Sequence, residues 1–311
     1  MMPGVASPIL VTGSHRSGTT WTGRVLALSP GIGYMHEPFN VHRWPNWLRR
    51  PLPHAYMYIS PENEADYLPL VEEALAFRYP VLNIAAAQTR RQVFQVLAEW
   101  PWSLLARFQG ARPLMKDPLA LMSSEWLADR FGMDVVVMIR HPAAFAGSVK
   151  RLDWRFDFDN WRDQSLLIRD LIGPYEAEVA DFAAREHDLI DQAILMWNVT
   201  HHVIRRFQDR RPDWSFVRHE DLSEEPLKGF RDLYARLDLR WDHTVEGIIL
   251  RTSTDESRRE VPTYLHRTVR RDSRAARWTW RQRLTPEEQH RIREGTADVG
   301  ATFYRDEDWD G

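Results

Sequence analysis

Residues 9 to 28, Ile9-Leu-Val-Thr-Gly-Ser-His-Arg-Ser-Gly-Thr-Thr-Trp-Thr-Gly-Arg-Val-Leu-Ala-Leu28, constrain what this chain can fold into more than any other stretch. A short apolar run meets a Gly/Ser/Thr loop and then a helical pattern, which reads as strand, loop, helix. Gly13 and Gly18 permit backbone angles and close approaches that a Cβ forbids, so the amides from Ser14 to Thr20 can turn inward toward an anion. A helix entered near Thr19 adds its positive end at the same point. Arg16 places a fixed charge in the loop, and Ser17, Thr19 and Thr20 offer hydroxyl donors. The plain alternative is an anion-tolerant turn before an ordinary helix; the full strand-loop-helix favours a binding loop.

The spacing of Gly13 and Gly18 resembles the phosphate loop of nucleoside triphosphatases, yet Thr19 stands where that loop has its lysine. Without the lysine, and with no evident acidic strand end for Mg²⁺, kinase or ATPase chemistry loses its main electrostatic parts. What remains suits a shorter anion such as a 5′-phosphosulfate. Two other classes stay open: a P-loop kinase or NTPase, and a non-catalytic module that binds a nucleotide or a sulfated glycan.

Arg16-Ser17-Gly18-Thr19-Thr20-Trp21 resembles the 5′-phosphosulfate loop of sulfotransferases, enzymes that use 3′-phosphoadenosine 5′-phosphosulfate (PAPS). Cytosolic members usually carry Lys in place of Arg16, whereas carbohydrate and protein-tyrosine members usually carry Arg. The resemblance implies an α/β, P-loop-like three-layer fold with a mainly parallel central sheet and helices on both faces. It also implies transfer of a sulfuryl group from PAPS to a hydroxyl of a carbohydrate or other small-molecule acceptor, with these six residues on the donor.

Gly31 to Glu37 has a strand-like centre that Pro38 stops, so Glu37 falls at the carboxyl end of a second strand and faces the same crevice as the loop. Glu37-Pro38-Phe39 resembles the Glu-Pro pair at this place in carbohydrate sulfotransferases. Glu37 is the candidate base for the acceptor hydroxyl, with His36 as local rival and His42 and His54 behind it; otherwise it is a strand-end acid bonded to loop amides or an arginine. A third strand from Arg112 leads to Lys116-Asp117-Pro118. The resemblance implies that Lys116 helps the leaving phosphate, unless it is only a solvated strand-end lysine. Pro118 stands where the cytosolic enzymes have a catalytic histidine, which moves the base role toward Glu37.

Met133 to Arg140 is a continuous β-branched run, as a central parallel strand requires, and Pro142 opens a helix to about Arg151. Arg140 and Ser148 resemble the pair that holds the 3′-phosphate of PAPS; an ordinary ion pair and a helix serine bonding backward are the alternatives. Trp214 to Leu222 reads as another strand, followed by a helix from Pro226 to Leu237. Its Val-Arg-x-Glu-Asp-Leu form is familiar from sulfotransferase cores. Further helices are expected over Pro61 to Phe77, Ser123 to Arg130 and from Thr285 onward, and over Thr89 to Phe108 with Val93, Val96, Leu97, Leu104 and Leu105 at core spacing. A long helix from Glu186 to Arg210 buries Ile190, Ala193, Ile194, Trp197 and Ile204, leaving His187, His201 and His202 at the surface or behind the site.

A single domain over residues 1–311 is expected, with acceptor-side insertions near 41–60 and 152–185. The aromatics of the first insertion would suit a sugar or aromatic acceptor, or pack as a lid or dimer patch. An arginine-rich loop near 251–283 would cover the donor, with Arg274 the residue chosen for the 3′-phosphate. Lys plus Arg (41) nearly balance Asp plus Glu (44), so there is no overall basic field for nucleic acid. The absence of cysteine excludes thiol chemistry, and the Asp-rich stretch at 152–163 lacks the order of an EF-hand, so no metal is expected. The N-terminus has no signal-like apolar region and no run approaches a membrane span, which points to a cytoplasmic protein acting on a small-molecule hydroxyl acceptor such as a saccharide.

Overall fold

The computed structural model describes residues 7–253 and 278–310. Five strands form one all-parallel sheet in the order β2-β3-β1-β4-β5: β1 (Ile9–Gly13), β2 (Ile32–His36), β3 (Arg112–Lys116), β4 (Asp134–Ile139) and β5 (Ser215–Arg218). The central strands carry continuous apolar runs, Ile9 to Val11, Leu114 to Met115 and Val135 to Ile139, because both faces are covered. Leu10, Met115, Val135, Val137 and Ile139 enter one core, while Ile9, Val11, Leu114, Val136 and Met138 enter the other.

Helices supply those covers. α1 (Thr19–Leu26) and the helix Pro226–Arg236 pack Trp21, Val25, Leu26, Phe230 and Tyr234 on the smaller core. On the opposite face lie α2 (Leu68–Leu75), α4 (Ser124–Phe131), α5 (Pro142–Leu152) and the helix Leu189–Arg210. Their starts and stops follow local chemistry: Pro142 opens α5, Gly132 (φ 64°) closes α4, and Thr285 with Glu288 forms a capping box before the helix Pro286–Gly295. After β1 the chain turns toward β2, and after β4 it turns toward β5. The carboxyl ends of β1 and β4 therefore flank the crevice where an open α/β sheet receives its ligand.

Three expectations need correction. α3 (Arg90–Phe108) forms as expected, but Leu97, Leu104 and Leu105 are 48%, 48% and 52% exposed rather than core. The helix is rotated so that Gln92 and Gln95 lie inward with the buried Val96, Ser103 and Ala106, and the two glutamines donate to the carbonyls of Trp44 (2.7 Å) and Pro45 (3.0 Å). His201 is fully buried, stacked on Trp197 with ring centroids 4.0 Å apart, and burial lowers its pKa to about 3. Finally, the strand expected over Trp214 to Leu222 ends at Arg218, and His219–Glu224 is helical. No described helix is long and apolar enough to cross a membrane.

Candidate active site

The loop after β1 is shaped by backbone demands that few residues meet. Gly13 has φ 135°, and a Cβ there would lie 2.1 Å from the carbonyl oxygen of Met138 on β4. Gly18, the N-cap of α1, has φ 92°, and its Cβ would meet Nδ1 of His219 at 2.4 Å. Between them Arg16 is also left-handed, at φ 62°. Ser17 closes the turn, its hydroxyl donating to the carbonyl of Ser14 at 2.6 Å. No side chain caps α1 and no acid stands in its first turn, so the positive end of the helix is open to a ligand. The buried hydroxyl of Ser14 has no partner among the described residues. A cradle without room for a Cβ, an uncapped helix start and an orphaned hydroxyl all fit a phosphate or phosphosulfate group.

Arg16 leans across the loop, its Nε donating to Oγ of Ser148 on α5 at 3.0 Å. Trp21, by contrast, puts its ring into the core edge-on to Phe230, with centroids 5.0 Å apart. Thr19 is buried beside Ser17, and Thr20 is half-buried.

A second group of residues gathers at the carboxyl ends of β2 and β3. In-register pairing sets His36 opposite Lys116, and the amide of Glu37 continues the ladder by donating to the Lys116 carbonyl at 2.8 Å. Glu37 then adopts φ 53°, a left-handed conformation uncommon for a glutamate. Its Oε1 accepts from Nζ of Lys116, and its Oε2 accepts from Nδ2 of Asn40 at 2.7 Å. Lys116 is fully buried, with 0% exposure, which removes the solvated-lysine alternative. Burial alone would raise the Glu37 carboxyl, but the adjoining ammonium overrides it and lowers the pKa to about 2. Burial pulls the Lys116 ammonium down, and Glu37 opposes that pull.

His36 also approaches Glu37, with Nε2 3.8 Å from Oε1, while its Nδ1 is 2.9 Å from the Tyr34 hydroxyl. Burial and then Lys116 lower its pKa to about 3, so it is neutral near pH 7. His15 is held 2.6 Å from the Tyr56 hydroxyl and is lowered by burial to about 4.

Two contributors, Asp117 and Glu220, carry no site role in the sequence reading, and a third, Tyr56, enters it only as one of the insertion's aromatics. Asp117 is fully buried, and its two oxygens accept from the amides of Phe39 (2.5 Å) and Leu119 (2.9 Å). It thereby pins the corner that presents Glu37. Burial and then the Glu37 charge raise its pKa to about 7. With both oxygens engaged, this strand-end acid is poorly suited to holding the Mg²⁺ of an NTPase. Tyr56 comes from the aromatic insertion, whose rings mainly pack: Trp47 stands edge-on to Phe77, Tyr79 and Trp102, and Tyr56 packs against Phe156 and Trp161. Glu220, assigned only to the core, lies 3.4 Å from Nε of Arg140 and accepts from the His141 amide (3.2 Å) and the Tyr304 hydroxyl (3.0 Å). Arg140 is thus oriented by a buried carboxylate at the end of β4. Arg274 lies outside the described residues.

Beside His36 a cavity of about 650 Å³ opens between α1, β2 and α3, with Tyr34, Arg43, Trp47 and Trp102 in its lining. Its size is in the range of small-molecule sites.

A sequence model described as the sulfotransferase family matches residues 8–243. Among solved structures, the sulfotransferase domain of the Synechococcus PCC 7002 olefin synthase aligns over 98% of both chains, with 17% identity and a TM-score of 0.49. A sulfotransferase from Alicyclobacillus acidocaldarius aligns over 98% of this chain and 99% of its own, with 14% identity and a TM-score of 0.43. A mouse sulfotransferase complexed with PAP covers 97% of this chain and 87% of its own, with 12% identity and a TM-score of 0.42. No curated protein sequence matches the chain.

Proposed function

The chain belongs to the sulfotransferase family, and we propose that it moves a sulfuryl group from PAPS to a hydroxyl of a small-molecule acceptor, a carbohydrate among the candidates. The single observation that carries this reading is the Glu37–Lys116 pair, a carboxylate and a buried ammonium in contact at adjoining strand ends of a sheet whose first strand leads into the anion-binding loop.

On this reading the loop amides from Ser14 to Thr20, the open start of α1 and Arg16 hold the 5′-phosphosulfate. Ser148 and Arg140 take the 3′-phosphate, with Glu220 orienting Arg140. When bound, PAPS supplies an activated sulfuryl group whose transfer leaves negative charge on a phosphate. Arg16 and the helix start are the groups we assign to that charge from the outset, since donors fixed before the reaction act without reorganising, and Lys116 joins them by leaving Glu37. Glu37 accepts the proton of the acceptor hydroxyl. Paired with Lys116 it is ionised but a weak base; as Lys116 turns toward the phosphate, the carboxylate recovers basicity at the moment it needs it. We place the acceptor beside His36, with its apolar body toward Trp47 and Trp102.

Calorimetric titration with 3′-phosphoadenosine 5′-phosphate, beside ADP and beside ATP with Mg²⁺, tests the donor site. The expected result is binding that requires the 3′-phosphate and weakens about tenfold or more in Arg140→Ala, as loss of a charged hydrogen-bonding partner implies. Preference for ATP would overturn it. The Glu37→Gln variant should bind the same nucleotide normally yet lose about a hundredfold or more in PAPS turnover across an acceptor screen; unchanged turnover would remove Glu37 as the base.

A further inference from the structure

α3 turns one apolar face outward, while Val96, Ser103 and Ala106 are buried on the other. Gln92, Gln95 and Glu99 face the body of the protein, where the two glutamines bond to loop carbonyls and Glu99 pairs with Arg43 at 2.6 Å. Phe94 (70% exposed), Leu97, Leu104, Leu105 and Phe108 (91%) face away from it, and Leu82 (85%) on the preceding turn is exposed as well. With about 100° per residue, these positions share one face some 21 Å long from Phe94 to Phe108. Specific inward bonds hold this orientation, so the outward face is a built feature of the fold. Its contiguity sets it apart from the scattered exposed leucines of ordinary surfaces.

Charge selects the occupant. Within residues 81–110 the exposed charged side chains are Arg90, Arg91 and Arg107, and the only acid, Glu99, is turned inward onto Arg43. On the helical wheel Arg91 and Arg107 border the apolar stripe on opposite sides, and Arg90 stands at its amino-terminal end. A second copy of the chain would bring arginine against arginine with no exposed acid from this segment to meet it. An anionic lipid surface meets both requirements, taking the phenylalanine and leucine side chains into its interface and the guanidinium groups among its headgroups.

We propose that α3 docks this protein on anionic membrane surfaces, with Phe94, Leu97, Leu105 and Phe108 inserted and Arg90, Arg91 and Arg107 on the headgroups. The inference is independent of the donor and acceptor assignments.

The test is co-sedimentation of the whole chain with vesicles of phosphatidylglycerol and phosphatidylcholine in equal parts, beside vesicles of phosphatidylcholine alone. Binding is expected to the anionic vesicles. It should fall roughly tenfold or more in Arg90→Ala/Arg91→Ala and in Phe94→Ser/Leu105→Ser/Phe108→Ser. Both variants change exposed positions outside the site, so their circular dichroism and their affinity for 3′-phosphoadenosine 5′-phosphate should match the parent. Absence of vesicle binding, equal binding to neutral vesicles, or binding untouched by both variants overturns the proposal. So does a concentration-dependent dimer that the serine variant abolishes, because the face would then belong to a second copy.

Discussion

Lys116 and Glu37, separated by 79 positions in the chain, meet in a contact that leaves the ammonium without solvent and the carboxylate nearly so. The contact follows from parallel register: His36 is opposite Lys116, and the next residue turns back through a left-handed angle to reach the lysine tip. A charge pair so placed is costly to break from one side, since the partner stays buried and uncompensated.

Replacing Lys116 by Met should therefore cost about 3–5 kcal/mol of stability and depress turnover by about a hundredfold or more. In Glu37→Gln/Lys116→Met the stability loss should be smaller than the sum of the singles, with a coupling of about 1–3 kcal/mol by denaturant titration. Additive losses would mean that the pair does not act as a unit.

Two acids give opposite pH signatures. Glu37, at about 2 in the folded chain against an ordinary 4.5, contributes stability that is present above about pH 4.5 and lost as pH falls toward 2. Asp117, raised from 3.8 to about 7, contributes stability that is full below about pH 4 and lost as pH rises through 7. Thermal unfolding across pH 5 to 8 should accordingly show a slope that Asp117→Asn flattens. The variant should also be less stable at every pH by about 1–3 kcal/mol, because a carboxamide cannot accept from both the Phe39 and the Leu119 amides. A slope unchanged in the variant would assign it to another group.

Gly13→Ala and Gly18→Ala should separate folding from binding. At Gly13 the new methyl meets the backbone of a neighbouring strand, which cannot yield, and a loss of about 2–4 kcal/mol is expected. At Gly18 the obstacle is a side chain, the His219 ring, rather than backbone, and the left-handed φ adds its own strain, so a smaller loss with weaker nucleotide binding is expected. Chemical denaturation with parallel calorimetry reads both quantities.

Ser148→Ala removes one partner of Arg16 and a donor proposed for the 3′-phosphate. The affinity for 3′-phosphoadenosine 5′-phosphate should fall about tenfold, while that for adenosine 5′-phosphosulfate, which lacks the 3′ group, changes little. Equal losses for the two ligands would show that Ser148 acts only by holding Arg16.

The strands and the loop were legible because their signals are local. Gly13, Gly18 and the continuous apolar run Val135 to Ile139 announce their conformations within a few residues. Glu37 and Lys116 could each be named from a strand end, but their contact depends on the register between β2 and β3, which no local pattern encodes. α3 misled for a related reason. Leucine spacing identifies one face of a helix without saying which way the face turns, and here the partners of Gln92 and Gln95 decide it. His201 was misplaced because its stacking on Trp197 is local, whereas its burial also depends on Phe303 from the far end of the chain.

The pairing of Ile32 with Arg112 through His36 with Lys116 has an evolutionary side. Everything between Glu37 and Arg112, including the aromatic insertion and α3, is a single excursion that leaves the sheet and returns to it. Such a detour can be lengthened, shortened or rewritten while the two strand ends keep their alignment. A lineage could then change what it sulfates, or where it does so, and inherit the proposed proton acceptor and its lysine intact.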